Sequence, residues 1–424
     1  MKRLVIFAIL IFFLCLSVEG QDSLDWDIDS IFDEPLPELP VEDTTPTVTV
    51  QELIRRTGYT FEVYYRFAGG YNYGWHEVPW HYSPSYGDVQ FKIDDYYSEF
   101  VVKMFSNISI DAQISNVFRA RTTIYFEIPS FAFTLGDFFF DYSISNVVFI
   151  RGGKYGLGWG VSPNYNFTNL LARVPATGYN GDSYIIKADV PIGIGGLQVL
   201  AQTRENLLGG VVPKSDDAGY GAKYNLALRR ADLNLGVFYQ DSMPFRSFLS
   251  AKTTIMGTDL YNEWLLAVDT KEDNDTSFAV NFGLSRDFFS GKLSLNAELF
   301  FNGEGNAYWY RPETWYRKSE ISPFLEGFNA AVNLLYRFDF KGNPRLFLQM
   351  RYSFIEESAF LVPGFIISPL PNLNFQLTVP MAMRNREGYY YSNTGVTDDI
   401  GRPLPFSIIL LLSFSGGVSY GHYN

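Results

Sequence analysis

From Tyr59 onward, apolar and polar residues alternate with a period of two. Between Glu99 and Ile114, one face takes Phe100, Val102, Met104, Ile108, Ile110, Ala112 and Ile114. The other takes Glu99, Lys103, Asn107, Ser109, Asp111 and Gln113. Successive side chains of a strand point to opposite sides of the sheet, so the spacing predicts a strand with one apolar face. After Ser115-Asn116 the alternation resumes, with Phe118, Ala120, Ile124, Phe126 and Ile128 against Arg119, Arg121, Thr123 and Glu127. A soluble sandwich gives the same local pattern, so repetition along the chain decides.

The pattern recurs at 132–144, 147–157, 183–192, 194–204, 218–229, 232–241, 246–256, 259–269, 276–287 and 292–302. It continues at 324–339, 345–355, 359–369, 373–383 and 405–415. With Tyr59–Ala68 at the start this predicts about 18 strands, or about 16 without the weakly alternating pair at 246–256 and 259–269. Short turns such as Ser115-Asn116, Ser145-Asn146 and Ser290-Gly291 follow alternate strands. Long connections near 69–95, 158–182, 205–217, 303–323 and 384–404 fall in the other set. Barrels of the outer membrane sort their loops this way, with tight periplasmic turns and long external loops. The expected fold is all-β: a single antiparallel transmembrane β-barrel over 51–424, with both termini on the periplasmic side.

The ends and the composition fit an exported chain. Met1 to Gly20 has Lys2 and Arg3, an apolar run from Leu4 to Leu16, and small or compact residues at Val18 and Gly20, which predicts a secretory signal over 1–20. Residues 21–50 hold nine acidic residues, no Lys or Arg, and Pro35, Pro37, Pro40 and Pro46. Such a segment is expected to be a disordered acidic tail in the periplasm. Aromatic residues make up 17% of the chain and charged ones 19%, as suits strands that face lipid on one side. A net charge of -13 argues against a nucleic-acid partner. Cys15 is the single cysteine and lies in the leader, so the mature chain has no thiol chemistry.

Few residues suggest catalysis. His76 and His81 are five apart, and Pro79 between them would break the helix that a zinc-protease pair requires. Arg151 to Gly160 is rich in glycine but lacks the spacing and the Lys-Ser/Thr ending of a phosphate loop. With three histidines and no framed nucleophile, neither enzymatic activity nor a metal or cofactor is expected.

The segment Phe138-Phe139-Phe140-Asp141-Tyr142, a Ser-Asn turn, and Val147-Val148-Phe149-Ile150-Arg151-Gly152-Gly153-Lys154 with Trp159-Gly160 resembles a recurring hairpin. It is similar to one found in porin-like outer-membrane barrels of spirochaetes. The acidic tail at 21–50 resembles theirs too. The resemblance covers about 45 residues well and implies an outer-membrane channel of unstated cargo. At the C-terminus Phe406, Ile408, Leu410, Leu412 and Phe414 supply the alternation that barrel-insertion machinery favours, although Gly416-Gly417 is expected to interrupt the strand.

Two functions follow. A barrel of about 16–18 strands leaves an aqueous lumen, which suits passive diffusion of small hydrophilic solutes between outer-membrane lipids. The expected pore-lining residues include Lys103, Arg119, Arg121, Glu127, Arg151, Lys187, Arg337 and Arg351. Arg119, Arg121 and Arg151 either form one positive wall or pair with acids across strands. The alternative is a plugged barrel that binds a surface ligand or acts as an adhesin. It would use external aromatic loops carrying Trp75, Trp80, Tyr82, Trp309 and Trp315. A homotrimer is left open.

Overall fold

A computed structural model describes residues 57–75, 80–83, 88–91, 96–128, 131–145, 147–168, 183–203, 218–241, 244–268, 276–303, 327–355, 357–384 and 406–423. The leader at 1–20 and the tail at 21–50 lie outside the described residues, as do Trp309 and Trp315.

The first strand, β1 (Gly58–Trp75), pairs along its length with β4 (Tyr96–Ser115) on one side and with β21 (Phe406–Tyr423) on the other. Between β1 and β4 lies a small hairpin, β2 (Trp80–Ser83) with β3 (Asp88–Phe91). The wall continues through β5 (Phe118–Ile128), β6 (Ala132–Ile144), β7 (Val148–Lys154), β8 (Tyr184–Ile192) and β9 (Gly195–Thr203). Next come β10 (Gly219–Leu228), β11 (Ala231–Gln240), β12 (Phe245–Ile255), β13 (Thr258–Val268), β14 (Thr276–Phe288) and β15 (Leu293–Asn302). It ends with β16 (Gly327–Arg337), β17 (Arg345–Ser353), β18 (Ser358–Leu370), β19 (Leu373–Thr378), β20 (Met381–Arg384) and β21. Within the wall, where β4 follows β1, each stave pairs antiparallel with the next, and β21 closes on β1. Counting β19 and β20 as one stave, this is a closed barrel of 18 strands. Closure matters in lipid, because an open sheet edge would leave unpaired N–H and C=O groups where no water can reach them.

The outer face is the apolar row of each strand. Phe100, Ile110 and Ile114 on β4, Phe138 and Phe140 on β6, and Leu412, Phe414 and Val418 on β21 are all exposed. The inner face is largely polar: Arg66, Ser109, Gln198, Glu263, Asn281, Glu298 and Asn329 are buried there. Ser109 on β4 and Thr123 on β5 hydrogen-bond across the wall at 3.0 Å.

Four boundaries differ from the sequence expectation. Residues 69–75 continue β1 instead of opening a loop, since Gly69 and Gly70 pair in register with Leu412 and Leu411. Trp75 is therefore a wall residue, buried against Phe406 with ring centroids 4.9 Å apart. β21 runs through Gly416-Gly417 to Tyr423, because the two glycines do not break pairing with Tyr65 and Tyr64. A Cβ on Gly416 would lie 2.5 Å from the Tyr65 hydroxyl, so glycine is what lets the tyrosine lie across the strand. The strand expected at 373–383 is split at Val379-Pro380, where proline supplies no N–H to the ladder. Finally, the strand expected at 147–157 ends at Lys154, and from Tyr155 the chain leaves the wall.

Candidate functional site

The inner face breaks its polar rule in two regions, a smaller cluster of Leu335, Phe347, Val362 and Ile366 on β16 to β18 and a larger one that the chain itself covers. Phe238, Phe248, Leu265, Ala267, Ala279, Phe300 and Ala331 occupy inward positions of β11 to β16, and all are buried. Apolar side chains facing a water-filled lumen would be unfavourable unless something covered them. The segment 155–168 does so. It follows β7, folds into the barrel, and buries Tyr155, Trp159, Tyr165 and Phe167 in the same apolar cluster. Trp159 packs 5.6 Å from the Phe248 ring and edge-on to Phe238. Tyr165 stacks on Phe300 at 4.8 Å, and Phe167 lies 5.0 Å from the same ring. The loop expected to be external near 158–182 is thus, in its described half, a strap inside the lumen.

Polar anchors fix both ends of this strap. Near β8 and β9, Trp159 Nε1 donates to Gln198 Oε1 at 2.7 Å. Gln198 in turn donates to Asp189, which also accepts from Lys187, both at 2.7 Å. Farther along, the backbone N–H groups of Asn164 and Tyr165 donate to Glu298 at 2.9 and 3.1 Å. Ser162 Oγ, Asn164 Nδ2, Tyr261 Oη and Asn281 Nδ2 donate to the same carboxylate. Asn333 on β16 holds the Asn164 side-chain oxygen at 2.7 Å. Glu263 accepts from the Val161 N–H at 2.6 Å and from Thr168 Oγ1 at 2.7 Å. Glu298 and Glu263 are thus the two posts to which the strap is tied. Alternation with Ala297, Leu299 and Phe301 puts Glu298 on the inner face, but local spacing does not show what it holds. Glu263 and the strap were not foreseen.

The expected pore-lining residues are all half-buried. Arg119, Arg151 and Lys187 come together around a pocket of about 370 Å³ that Gln113, Asp141 and Asp189 also line. Arg119 donates through two nitrogens to Asp111, and Arg151 does the same to Asp141, at 2.6 and 2.9 Å. The guanidinium of Arg151 lies over the Phe139 ring at 4.3 Å. Arg121 stands opposite Asp111 in register. The wall therefore alternates in sign and is not one positive surface, since each base has an acid on its own or a neighbouring strand. Part-exposed pairs of this kind contribute about 0–1 kcal/mol each to stability, so they bear more on the local field than on the fold.

The other members lie apart from this pocket. Glu127 is opposite Phe105, and Lys103 is opposite Ala68. Arg337 donates to the Gly291 carbonyl at 2.7 Å and to Ser294 Oγ at 3.0 Å, near the turn between β14 and β15. Arg351 on β17 stands opposite Ala331 and Phe360. Of the expected aromatic loop residues, Trp80 and Tyr82 belong to β2, opposite Phe91 and Val89.

Mixed signs make a prediction about selectivity. Neutralising Arg119, Arg151 and Lys187 together should shift the reversal potential in a salt gradient towards cations. Neutralising Asp111, Asp141 and Asp189 should shift it the opposite way by a similar amount. A shift from the first set alone would show that the bases act as a positive wall after all.

No protein-family model and no curated protein matches the chain. Among solved structures, Pseudomonas aeruginosa OccK3 (OpdO) superposes with a TM-score of 0.51 at 14% identity, over 85% of this chain and 96% of that one. OccK5 (OpdH) of the same bacterium gives 0.50 at 10% identity, over 85% and 98%. At these identities the likeness is one of fold, and the chain has the closed barrel architecture that those two proteins have.

Proposed function

We propose that the chain is an exported bacterial outer-membrane channel, narrowed by the strap, through which small hydrophilic solutes diffuse passively. The observation that carries this reading is the closed 18-strand wall, apolar outside and largely polar inside. Barrels of about 16–18 strands enclose an aqueous channel, whereas those of about eight are filled by side chains. The signal expected at 1–20 and the hairpin that resembles spirochaete porin-like barrels support it, and barrel-insertion machinery would place such a chain in the membrane. The reading needs no catalysis. A homotrimer is compatible with the apolar outer face.

Purified protein in planar bilayers should give discrete conductance steps. Persistent silence from correctly folded protein would instead support the second reading, a plugged barrel that binds a surface ligand. That reading draws on the strap, which spans from Gln198 on β9 to Asn333 on β16.

A further inference from the structure

Where the strap meets the wall, three buried oxygen atoms accept no hydrogen bond among the described residues: Glu263 Oε2, Asn281 Oδ1 and Asn166 Oδ1. Glu263 and Asn281 are wholly buried and stand opposite each other on β13 and β14. Asn281 Nδ2 donates to Ser162 and Glu298, which fixes the orientation of the amide and leaves its oxygen as the open atom. The strap brings further oxygens to Glu263. Asn166 Oδ1, Thr168 Oγ1 and Glu263 Oε1 all lie within 3.1 Å of the point that a Cβ on Gly160 would occupy. Gly160 has a φ of 99°, so glycine both permits this turn and lets those oxygens crowd against its Cα.

A buried carboxylate needs a cation or donors to both of its oxygens. Glu298 meets the need with donors on each oxygen. Glu263 accepts from Val161 and Thr168 on Oε1, has no hydrogen-bond partner on Oε2, and makes no ion pair among the described residues. Thr168 spends its proton on Glu263, so the lone pairs of its hydroxyl stay available. Every unpartnered atom in this group is an oxygen.

We propose that these oxygens form a calcium site that ties the strap to the wall. Glu263 is the charged ligand, and Asn166, Asn281 and Thr168 are the neutral ones, with water completing the shell. An all-oxygen set without imidazole or thiolate suits a hard cation and disfavours zinc and copper. Calcium accepts irregular shells of six to eight oxygens, whereas magnesium demands a near-ideal octahedron and dehydrates reluctantly. Among the described residues no three acidic, His or Cys side chains gather, so the site carries one carboxylate. Its affinity should fall near that of weakly charged extracellular sites, a Kd of about 10⁻⁴–10⁻³ M. This site goes beyond the channel reading and does not depend on conduction.

The test is a calcium titration of the purified full-length barrel in detergent after chelation, read by calorimetry and by displacement of luminescent terbium. One saturable site per chain is expected, with magnesium a poor competitor. Glu263→Gln, which keeps the shape and removes the charge, should abolish binding. Asn166→Ala, which leaves Glu263 in place, should weaken it by about tenfold. Heat-modifiable gel migration of each variant confirms that the barrel has folded. Absence of saturable binding to folded wild type, or equal binding by Glu263→Gln, would overturn the site. Wild-type affinity in Asn166→Ala combined with Thr168→Val would remove the strap from it and overturn the tie.

Discussion

Ile110→Arg is expected to block or severely impair membrane insertion, whereas Asp111→Asn one position along should leave the barrel folded. Ile110 lies on the outer face of β4, opposite Phe61 of β1, and both side chains are exposed. An arginine on the lipid face at mid-bilayer costs about 2–4 kcal/mol. Asp111 points the other way and pairs with Arg119 in a part-exposed setting. Its neutralisation should cost no more than about 1 kcal/mol. Folding into lipid vesicles followed by denaturant titration separates the two. Equal damage from both variants would mean that the two faces of β4 do not differ in their exposure to lipid.

The faces were legible in the sequence because the side-chain period of a strand is two and lipid demands one apolar row. The strand pair at 246–256 and 259–269 read weakly for a reason the structure supplies. Phe248, Leu265 and Ala267 are apolar on the inner face, so apolar residues sit on both sides and the alternation blurs. What looked like a poor strand signal was the footprint of the strap. The strap itself was hidden because its partners are remote: Tyr165 and Glu298 lie 133 positions apart. Nothing in local spacing ties a loop after β7 to a carboxylate on β15.

The charged wall was half legible. Alternation puts Arg119 and Arg151 on the inner face, but pairing depends on register, and register is set by the turns. The short turn after β4 brings Arg119 beside Asp111, and the turn after β6 brings Arg151 beside Asp141. A positive wall and a paired one share the same residues and differ only in that register.

Glu298→Ala should release the strap and raise single-channel conductance several-fold, with noisier open levels. Its carboxylate receives the N–H groups of Asn164 and Tyr165 together with donors from Ser162, Asn164, Tyr261 and Asn281. Each donor orphaned in a buried place costs about 1–3 kcal/mol, so loss of this carboxylate turns the main polar anchor of the strap's middle into a penalty. The wall pairs through its backbone ladder, and β15 keeps both neighbours β14 and β16 without this side chain. Glu298→Gln retains one acceptor oxygen and should give an intermediate conductance. Bilayer recordings of the three proteins, each checked for heat-modifiable migration, measure the series. Identical conductance in folded Glu298→Ala would mean that the strap does not set the bore and that solutes pass elsewhere in the lumen.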